Sequence, residues 1–408
     1  MSILILNRTK HITSPYKEWL ADLNEDLLLL TSADVLEGYE GYEFIETFGN
    51  YRANGLVELR AMELYETHKY RTLIAVGEYD LWRAGRLRDT LGLPGQSAES
   101  ALAFRDKPHM KDIVRAAGLD TPEYCRLHSS FDLIRFLDQH GYPVVIKPVD
   151  GAGSTMTTVL RSRQDLETVL QNGLQDNLEV ETFVEGQMYH IDGLVLNGTL
   201  EFAWPSRYLN GCLAYQDGKA LGSVLLDADN PLTQRLREHL GQLLAALPTP
   251  EITTIHAEVF HTPDDRLVLC EIASRTGGAR VNTTIETAFG VPLTKSWVQA
   301  QCGLELDKSN WSTEQPNVMS GWLLVPPKQG TFLEAPKTLP FPWVAEYLTV
   351  KPGKQYGHAA SSIDHVAAFV VTGATETEVE QRLQAALDWF EQEARWELTR
   401  DRLPSAEA

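Results

Sequence analysis

Short apolar runs separated by amphipathic stretches fill the first 95 residues. Ile3-Leu4-Ile5-Leu6 and Leu27-Leu28-Leu29-Leu30 are wholly apolar, as strands buried on both faces are. Tyr42 to Glu46 alternates, Leu56 to His68 reads as a helix, and Leu73 to Val76 as a buried strand. This order predicts an open α/β sheet, closed off by the turn Gly92-Leu93-Pro94-Gly95. Beyond it, Ser100 to Ala117 places Met110, Ile113, Val114 and Ala117 on one helical face, with Gly118 as C-cap. A helix from Phe131 to His140 follows, with Ser130 as N-cap. Pro143 to Lys147 and Met156 to Leu160 read as strands around a glycine-rich turn, and Ser162 to Leu170 as a helix. After a strand at Gly193 to Leu196 comes a long loop region holding Trp204-Pro205-Ser206-Arg207-Tyr208 and Tyr215. Leu232 to Leu247 is helical in pattern and Ile252 to Ala273 predicts a hairpin. The remainder reads as a mixed lobe ending in a helix from about Glu376 to Arg395 and a polar tail expected to fray. The class is α/β, with α+β lobes after the first unit.

Composition narrows the picture. With 408 residues, 43% hydrophobic and 23% charged, the chain is globular, and its length suggests two or three domains at about 100–200 residues each. No apolar run approaches the ~18 residues of a membrane span. Met1 to Asn7 is too short for a signal-peptide core and carries no basic residue ahead of it, so a cytoplasmic location is expected. Cys125, Cys212, Cys270 and Cys302 form no C-x-x-C pair, which suits a reducing compartment. The net charge of −20 argues against nonspecific nucleic-acid binding and serves solubility.

Chemistry concentrates in two places. Lys147-Pro148-Val149-Asp150-Gly151-Ala152-Gly153-Ser154-Thr155 fits neither a P-loop, since no Lys follows Gly153, nor a dinucleotide fingerprint. What remains is a hairpin turn: either a plain glycine turn, or one whose N–H groups fold over phosphate oxygens with Lys147 as a point charge. The second place is the hairpin carrying Glu258 and Glu271. If Asp264-Asp265 is its two-residue loop, the two glutamates lie directly opposite, with Phe260 and Leu269 marking their face as inward. Opposed like charges are destabilising, and a divalent cation removes that penalty. Magnesium favours one or two carboxylates plus substrate phosphates. Arg275 follows four residues on and can meet an oxyanion, although on its own it reads more readily as a surface arginine in a flexible turn. Gly277-Gly278 leaves room for a substrate.

Lys107, Lys147, the turn Asp150 to Thr155, Glu181-Thr182-Phe183-Val184-Glu185-Gly186, Glu258, Glu271 and Arg275 occur in the order and spacing of ATP-grasp enzymes. From about Phe104 to Val291 the chain resembles that superfamily, and as a whole it looks like the L-amino-acid ligase and carnosine-synthase branch. The resemblance implies a Rossmann-like pre-ATP-grasp domain at 1–95, an ATP-grasp domain at 96–310 with a small lobe at about 120–190, and a C-terminal subdomain at 311–408. It implies ATP and magnesium, with manganese as a substitute. Lys107 and Lys147, Gly151, Gly153 and Ser154 would hold phosphates. Glu181 and Val184 would read adenine, and Glu258 and Glu271 would hold the metal. Arg275 would steady a phosphorylated intermediate. The pattern's ribose glutamate is Met188 here, with Glu185 as a substitute, and its asparagine after the second metal carboxylate is Ala273.

The implied reaction is carboxylate–amine ligation through an acylphosphate, with ATP split to ADP and phosphate. Lys147 and Arg275 are the expected catalytic residues. Arg207, His190, Gly277 and Gly278 are expected on the substrate side, and His190 and His256 are candidates for the base. Partners are small-molecule carboxylates and amines, with neither nucleic acid nor membrane, and a homodimer is compatible with the resemblance. The alternatives are a carboxylase or purine-synthesis enzyme of the same superfamily, a ligase modifying a peptide or carrier protein, and a non-catalytic nucleotide-binding protein.

Overall fold

The computed structural model describes residues 1–398; the tail expected to fray lies outside them. The first unit is a parallel four-stranded sheet of β1 (Ser2–Asn7), β2 (Asp26–Ser32), β3 (Phe44–Phe48) and β4 (Thr72–Ala75), in the order β3-β2-β1-β4. The apolar runs of β1 and β2 are buried on both faces, between helix Leu56–His68 on one side and Tyr16, Tyr39 and Val298 on the other. That double burial is why these strands do not alternate.

The segment expected as one helix from Ser100 to Ala117 is two, Ala98–Ala103 and Lys107–Ala116. Asp106 breaks it: its side chain accepts from the His109 N–H as an N-cap, and Pro108 stands in the first turn, where its missing N–H costs nothing. Lys107 is therefore the first residue of a helix, aimed back toward the small lobe. That lobe is an antiparallel sheet of β5 (Tyr124–Leu127), β6 (Val144–Pro148), β7 (Thr158–Leu160) and β8 (Leu178–Thr182), ordered β5-β8-β6-β7. Strand β7 starts later than expected, because Gly153, Ser154 and Met156 all have positive φ and extend the turn.

An eight-stranded sheet forms the floor. Its strands are β9 (Gln187–Leu196), β10 (Thr199–Tyr208), β11 (Leu221–Leu225), β12 (Thr253–His261), β13 (Leu267–Ala273), β14 (Met319–Val325), β16 (Val344–Thr349) and β18 (Ala367–Gly373). Their order is β13-β12-β9-β10-β11-β14-β18-β16, so strands from the last part of the chain continue the sheet begun by β9. A small sheet of β15 (Gly330–Glu334), β17 (Gln355–Tyr356) and β19 (Arg395–Leu398) flanks it. The final helix runs Glu376–Glu393.

Trp204 to Tyr208 is strand, not loop. Pro205 is tolerated within the strand because its carbonyl, and hence the side its missing N–H would face, points to Leu226 just past the end of β11. The hairpin of β12 and β13 also differs from expectation. Glu258 does pair with Glu271, but Val259 then pairs with Leu269, so Cys270 is an extra, bulged residue. The turn is longer than two residues, with Asp265 left-handed and Thr262 N–H bonded to the Arg266 carbonyl. Bulge and longer turn cancel, which preserves the predicted pairing. The bulge also sends Leu269 to the opposite, fully buried face with Val259, while Cys270 and Glu271 both turn to the cleft.

Candidate active site

A cleft of about 650 Å3 opens between the small lobe and the large sheet, within the usual range for a small-molecule site. Lys107, Lys147, Gly151, Ser154, Glu181, Val184, Glu185, Glu258 and Glu271 all line it, and Met188 lines it with them. The structure thus brings nine of the named residues together. Gly153 is set back: its carbonyl accepts from Ser362 N–H at 3.1 Å. The glycine-rich turn is tied down further by Tyr215, whose hydroxyl donates to the Ser154 carbonyl at 3.0 Å, and by Gln216, which donates to the Thr157 carbonyl at 3.0 Å.

On the small-lobe side, Lys147 on β6 stands opposite Glu179 on β8, and Glu181 lies two residues along the same face. Lys147 Nζ is 2.7 Å from Glu181, and Lys111 Nζ contacts Glu179 at 2.8 Å and Glu181 at 2.6 Å. All four side chains are buried. Burial pushes the Glu181 carboxyl up, but Lys111 and Lys147 outweigh it and hold it at about 2. Burial opposes the charge on Lys147, and Cys270, Glu181, Glu179 and Glu271 more than offset that. Lys111 and Glu179 were missed in the sequence, although Lys111 lies one turn from Lys107 and Glu179 alternates with Glu181.

On the sheet side, Lys107 Nζ is 3.0 Å from Glu271 and donates to the Gly151 carbonyl at 3.0 Å. Glu258 accepts from the Tyr208 hydroxyl at 2.9 Å and has His256 Nε2 at 3.7 Å. Burial raises the Glu258 carboxyl, yet His256 and Tyr208 bring it down to about 2. Behind it, Asp192 joins two histidines: His256 Nδ1 at 2.8 Å and His190 Nδ1 at 2.6 Å, with Ser223 on His190 Nε2 at 2.6 Å. Burial disfavours charge on His256, but Asp192 and Glu258 raise its pKa to about 9. A Cβ on Gly277 would stand 2.7 Å from both Asp192 Oδ1 and His256 Nδ1, so only glycine fits there, whereas Gly278 faces open space.

Arg275 is partly buried and donates to Glu78, which also accepts from Arg105; Arg275 donates to the Thr276 carbonyl at 2.8 Å as well. Burial raises the Glu78 carboxyl, and the two guanidinium groups bring it to about 2. Arg275 is therefore held by the N-terminal unit, a pairing with no signal in the sequence. His190 is buried behind the cleft wall. Arg207 is not brought to the cleft. Tyr208 points inward, so its neighbour points outward, where Arg207 pairs with Glu376 at 3.1 Å and Glu380 at 2.8 Å. The expected substrate contact for Arg207 has no geometric basis.

No family model matches the chain. The L-arginine-specific L-amino acid ligase of Bacillus subtilis is 24% identical over 243 residues, 58% of this chain and 58% of that protein. A D-alanine–D-alanine ligase of Clostridium botulinum is 32% identical over 103 residues, 24% of this chain and 34% of the relative. The matches thus span little more than half of these curated relatives at most. Among solved structures, the L-amino acid ligase of Bacillus licheniformis superposes with a TM-score of 0.75 at 17% identity, covering 98% of this chain and 99% of that one. Carboxyaminoimidazole ribonucleotide synthase of Aspergillus clavatus, solved with ATP, gives 0.72 at 16% identity, covering 96% and 98%. Among the described residues, no helix is long and apolar enough to cross a membrane. The superpositions run over nearly the whole chain at under 25% identity, and they show that it shares the fold of these enzymes.

Proposed function

We propose that this chain is an ATP-dependent ligase joining a carboxylate to an amine, with an amino acid among its substrates. The observation that carries the proposal is the opposed pair Glu258 and Glu271 at the floor of a nucleotide-sized cleft that Lys107 and Lys147 also line. The donor set fits a hard divalent cation: both side chains offer carboxylate oxygens, and Glu258 is held ionised. Glu258 and Glu271 would hold magnesium, or manganese in its place, and the ion would neutralise charge at the terminal phosphates of ATP.

The chain's own residues do the rest. Lys107 and Lys147 set two ammonium charges at the phosphates. Glu181 has both oxygens on lysines, so its part is to fix Lys147, leaving Val184 and Glu185 for adenine and ribose. Arg275 meets charge developing on the carboxylate and the phosphoryl group. The glycine-rich turn keeps water from the acylphosphate. In the first step a carboxylate oxygen takes the γ-phosphoryl group and ADP leaves. In the second the amine attacks the acyl carbon, phosphate leaves with the bonding pair, and the amine loses a proton. The relatives' printed names, two of them amino-acid ligases, favour amino acids over bicarbonate as substrates.

The test is incubation with ATP, magnesium and mixed amino acids, followed by nucleotide separation and mass spectrometry. ADP with an amide product is expected. AMP as the main product would sink the acylphosphate route, and ADP without any amide would remove the ligase assignment.

A further inference from the structure

The ligase reading leaves the amine substrate without a recognition site. The N-terminal unit supplies a candidate at its topological switch point. In the order β3-β2-β1-β4, the chain leaves β1 on one side and returns to β4 on the other. Ligands of open α/β sheets bind in the crevice outside the carboxyl ends of such strands. Here those ends deliver Arg8, directly after β1, and Glu78 and Tyr79, just after β4.

Three guanidinium groups surround Tyr79. Arg52 lies 3.7 Å from the ring centroid, Arg8 5.2 Å and Arg105 5.4 Å. Their commitments differ. Arg105 is spent on Glu78 and the Asp150 carbonyl. Arg52 is half exposed, and its nearest carboxylate is Asp150 at 3.9 Å. Arg8 makes no ion pair or side-chain hydrogen bond among the described residues, and its Nε is buried without a partner. Two acidic groups lie near Arg8: Asp80 is held through Oδ1 by Arg83 at 3.0 Å, with its Oδ2 buried and without a partner, and Asp34 is engaged by the Ser32 hydroxyl.

The backbones carrying these groups are held firmly. Asn7 Oδ1 accepts from the Thr9 N–H at 3.0 Å and the Thr9 hydroxyl at 2.8 Å, so Arg8 sits at the tip of a pinned turn. The buried Arg83 donates to the Tyr51 and Arg52 carbonyls, each at 3.2 Å, and so fixes the loop of Arg52. Rigid backbone under uncommitted cationic side chains is the design of a binding site, since little order is lost on binding. The location fits as well, because Glu78 links this crevice to Arg275 beside the metal carboxylates.

We propose that Arg8 and Arg52, over the Tyr79 ring, form the subsite for an anionic group on the amine substrate. The ligand is an amine that also carries a carboxylate or a phosphate, and the guanidinium fork takes either oxyanion in two parallel hydrogen bonds. This rests on the ligase reading above, and the test keeps the two apart.

Full-length protein is given ATP, magnesium, the common amino acids, their carboxamides and their aminophosphonate analogues in one pot, and the products are sorted by mass. Products with a free terminal carboxylate or phosphonate should exceed amidated ones at least tenfold, and the larger anionic product names the anion. In Arg8→Gln with Arg52→Gln the excess should fall toward one, with ATP affinity by calorimetry unchanged. Amidated products in equal yield from the wild-type protein, or an excess that survives both substitutions, would overturn the subsite. If ADP forms with no amide, the ligase reading fails and binding decides the subsite. Malonate titrated in the presence of ADP and magnesium should then bind at least tenfold more weakly to the double variant, and equal affinity would overturn the proposal.

Discussion

The two walls of the cleft solve the problem of buried carboxylates differently. On the small-lobe wall, Glu179 and Glu181 meet Lys111 and Lys147, two charges against two, every oxygen engaged. On the sheet wall, Asp192 is shared by His190 and His256, Glu258 meets the Tyr208 hydroxyl with His256 at 3.7 Å, and Glu271 meets Lys107 alone. One closed network balances itself, whereas in the open one Glu258 Oε2 and Glu271 Oε1 have no hydrogen-bond or ion-pair partner among the described residues. A self-balanced network is a structural device that holds Lys147 in place. Carboxylate oxygens left without partners in a cleft are where a cation gains most from binding.

Breaking the closed network should have the largest effect on stability. Lys111→Met leaves Glu179 and Glu181 buried with a single lysine, and removing one partner of a buried ion network costs about 3–5 kcal/mol. Denaturant unfolding should show that loss. Adding Glu179→Gln to Lys111→Met should recover part of it, because the uncompensated charge is gone. A Lys111→Met protein as stable as the parent would refute the idea that this wall is structural.

The open wall should respond the opposite way. Glu258→Gln keeps the shape but gives up the attraction of His256 that holds this carboxyl at about 2; it should cost less stability than Lys111→Met, because His256 keeps Asp192 as its partner. Turnover should fall at least a hundredfold (about 2.7 kcal/mol of transition-state stabilisation), in the range of lost electrostatic groups. Lost stability with retained turnover would invert the comparison.

These contrasts were partly legible in the sequence. Glu258 facing Glu271 follows from counting back from the turn, yet the count succeeded only because the bulge at Cys270 offset the longer turn. Helix and strand positions of the N-terminal unit follow from apolar runs, since burial on both faces leaves a clear trace. Alternation also carried unused signals: Glu179 with Glu181, His190 with Asp192 and His256 with Glu258 each lie two apart in a strand, on one face. Glu78 had no such trace. It contacts Arg275 across 197 positions of sequence, and no local pattern reports a contact made by domain packing.

That seam gives a pH-dependent test. The Glu78 carboxyl is held at about 2 in the folded protein against an ordinary value of 4.5. Its folded pKa is depressed, so its contribution is fully present above about pH 4.5 and is lost as pH falls toward 2. Stability measured by denaturant between pH 5 and 3 should therefore fall less steeply in Glu78→Gln than in the parent. Equal slopes would mean that the pair with Arg105 and Arg275 is not formed in solution.

The smallest expected effect belongs to Arg207, and it tests which face of the sheet is functional. Arg207 and Tyr208 are neighbours on β10 with opposite aims: one to the final helix, the other to Glu258. Arg207 holds Glu376 and Glu380 in a partly exposed pair, and such pairs contribute about 0–1 kcal/mol. Arg207→Gln should thus unfold within about 1 kcal/mol of the parent and leave KM and kcat within about twofold, since no atom of it approaches the cleft. Tyr208→Phe, one residue on, removes the hydroxyl that donates to Glu258 and should raise the magnesium concentration needed for half-maximal turnover several-fold. A substrate-specific rise in KM for Arg207→Gln would place a substrate on the helix-facing side of β10. It would also mean that the two faces of this strand do not divide support from chemistry.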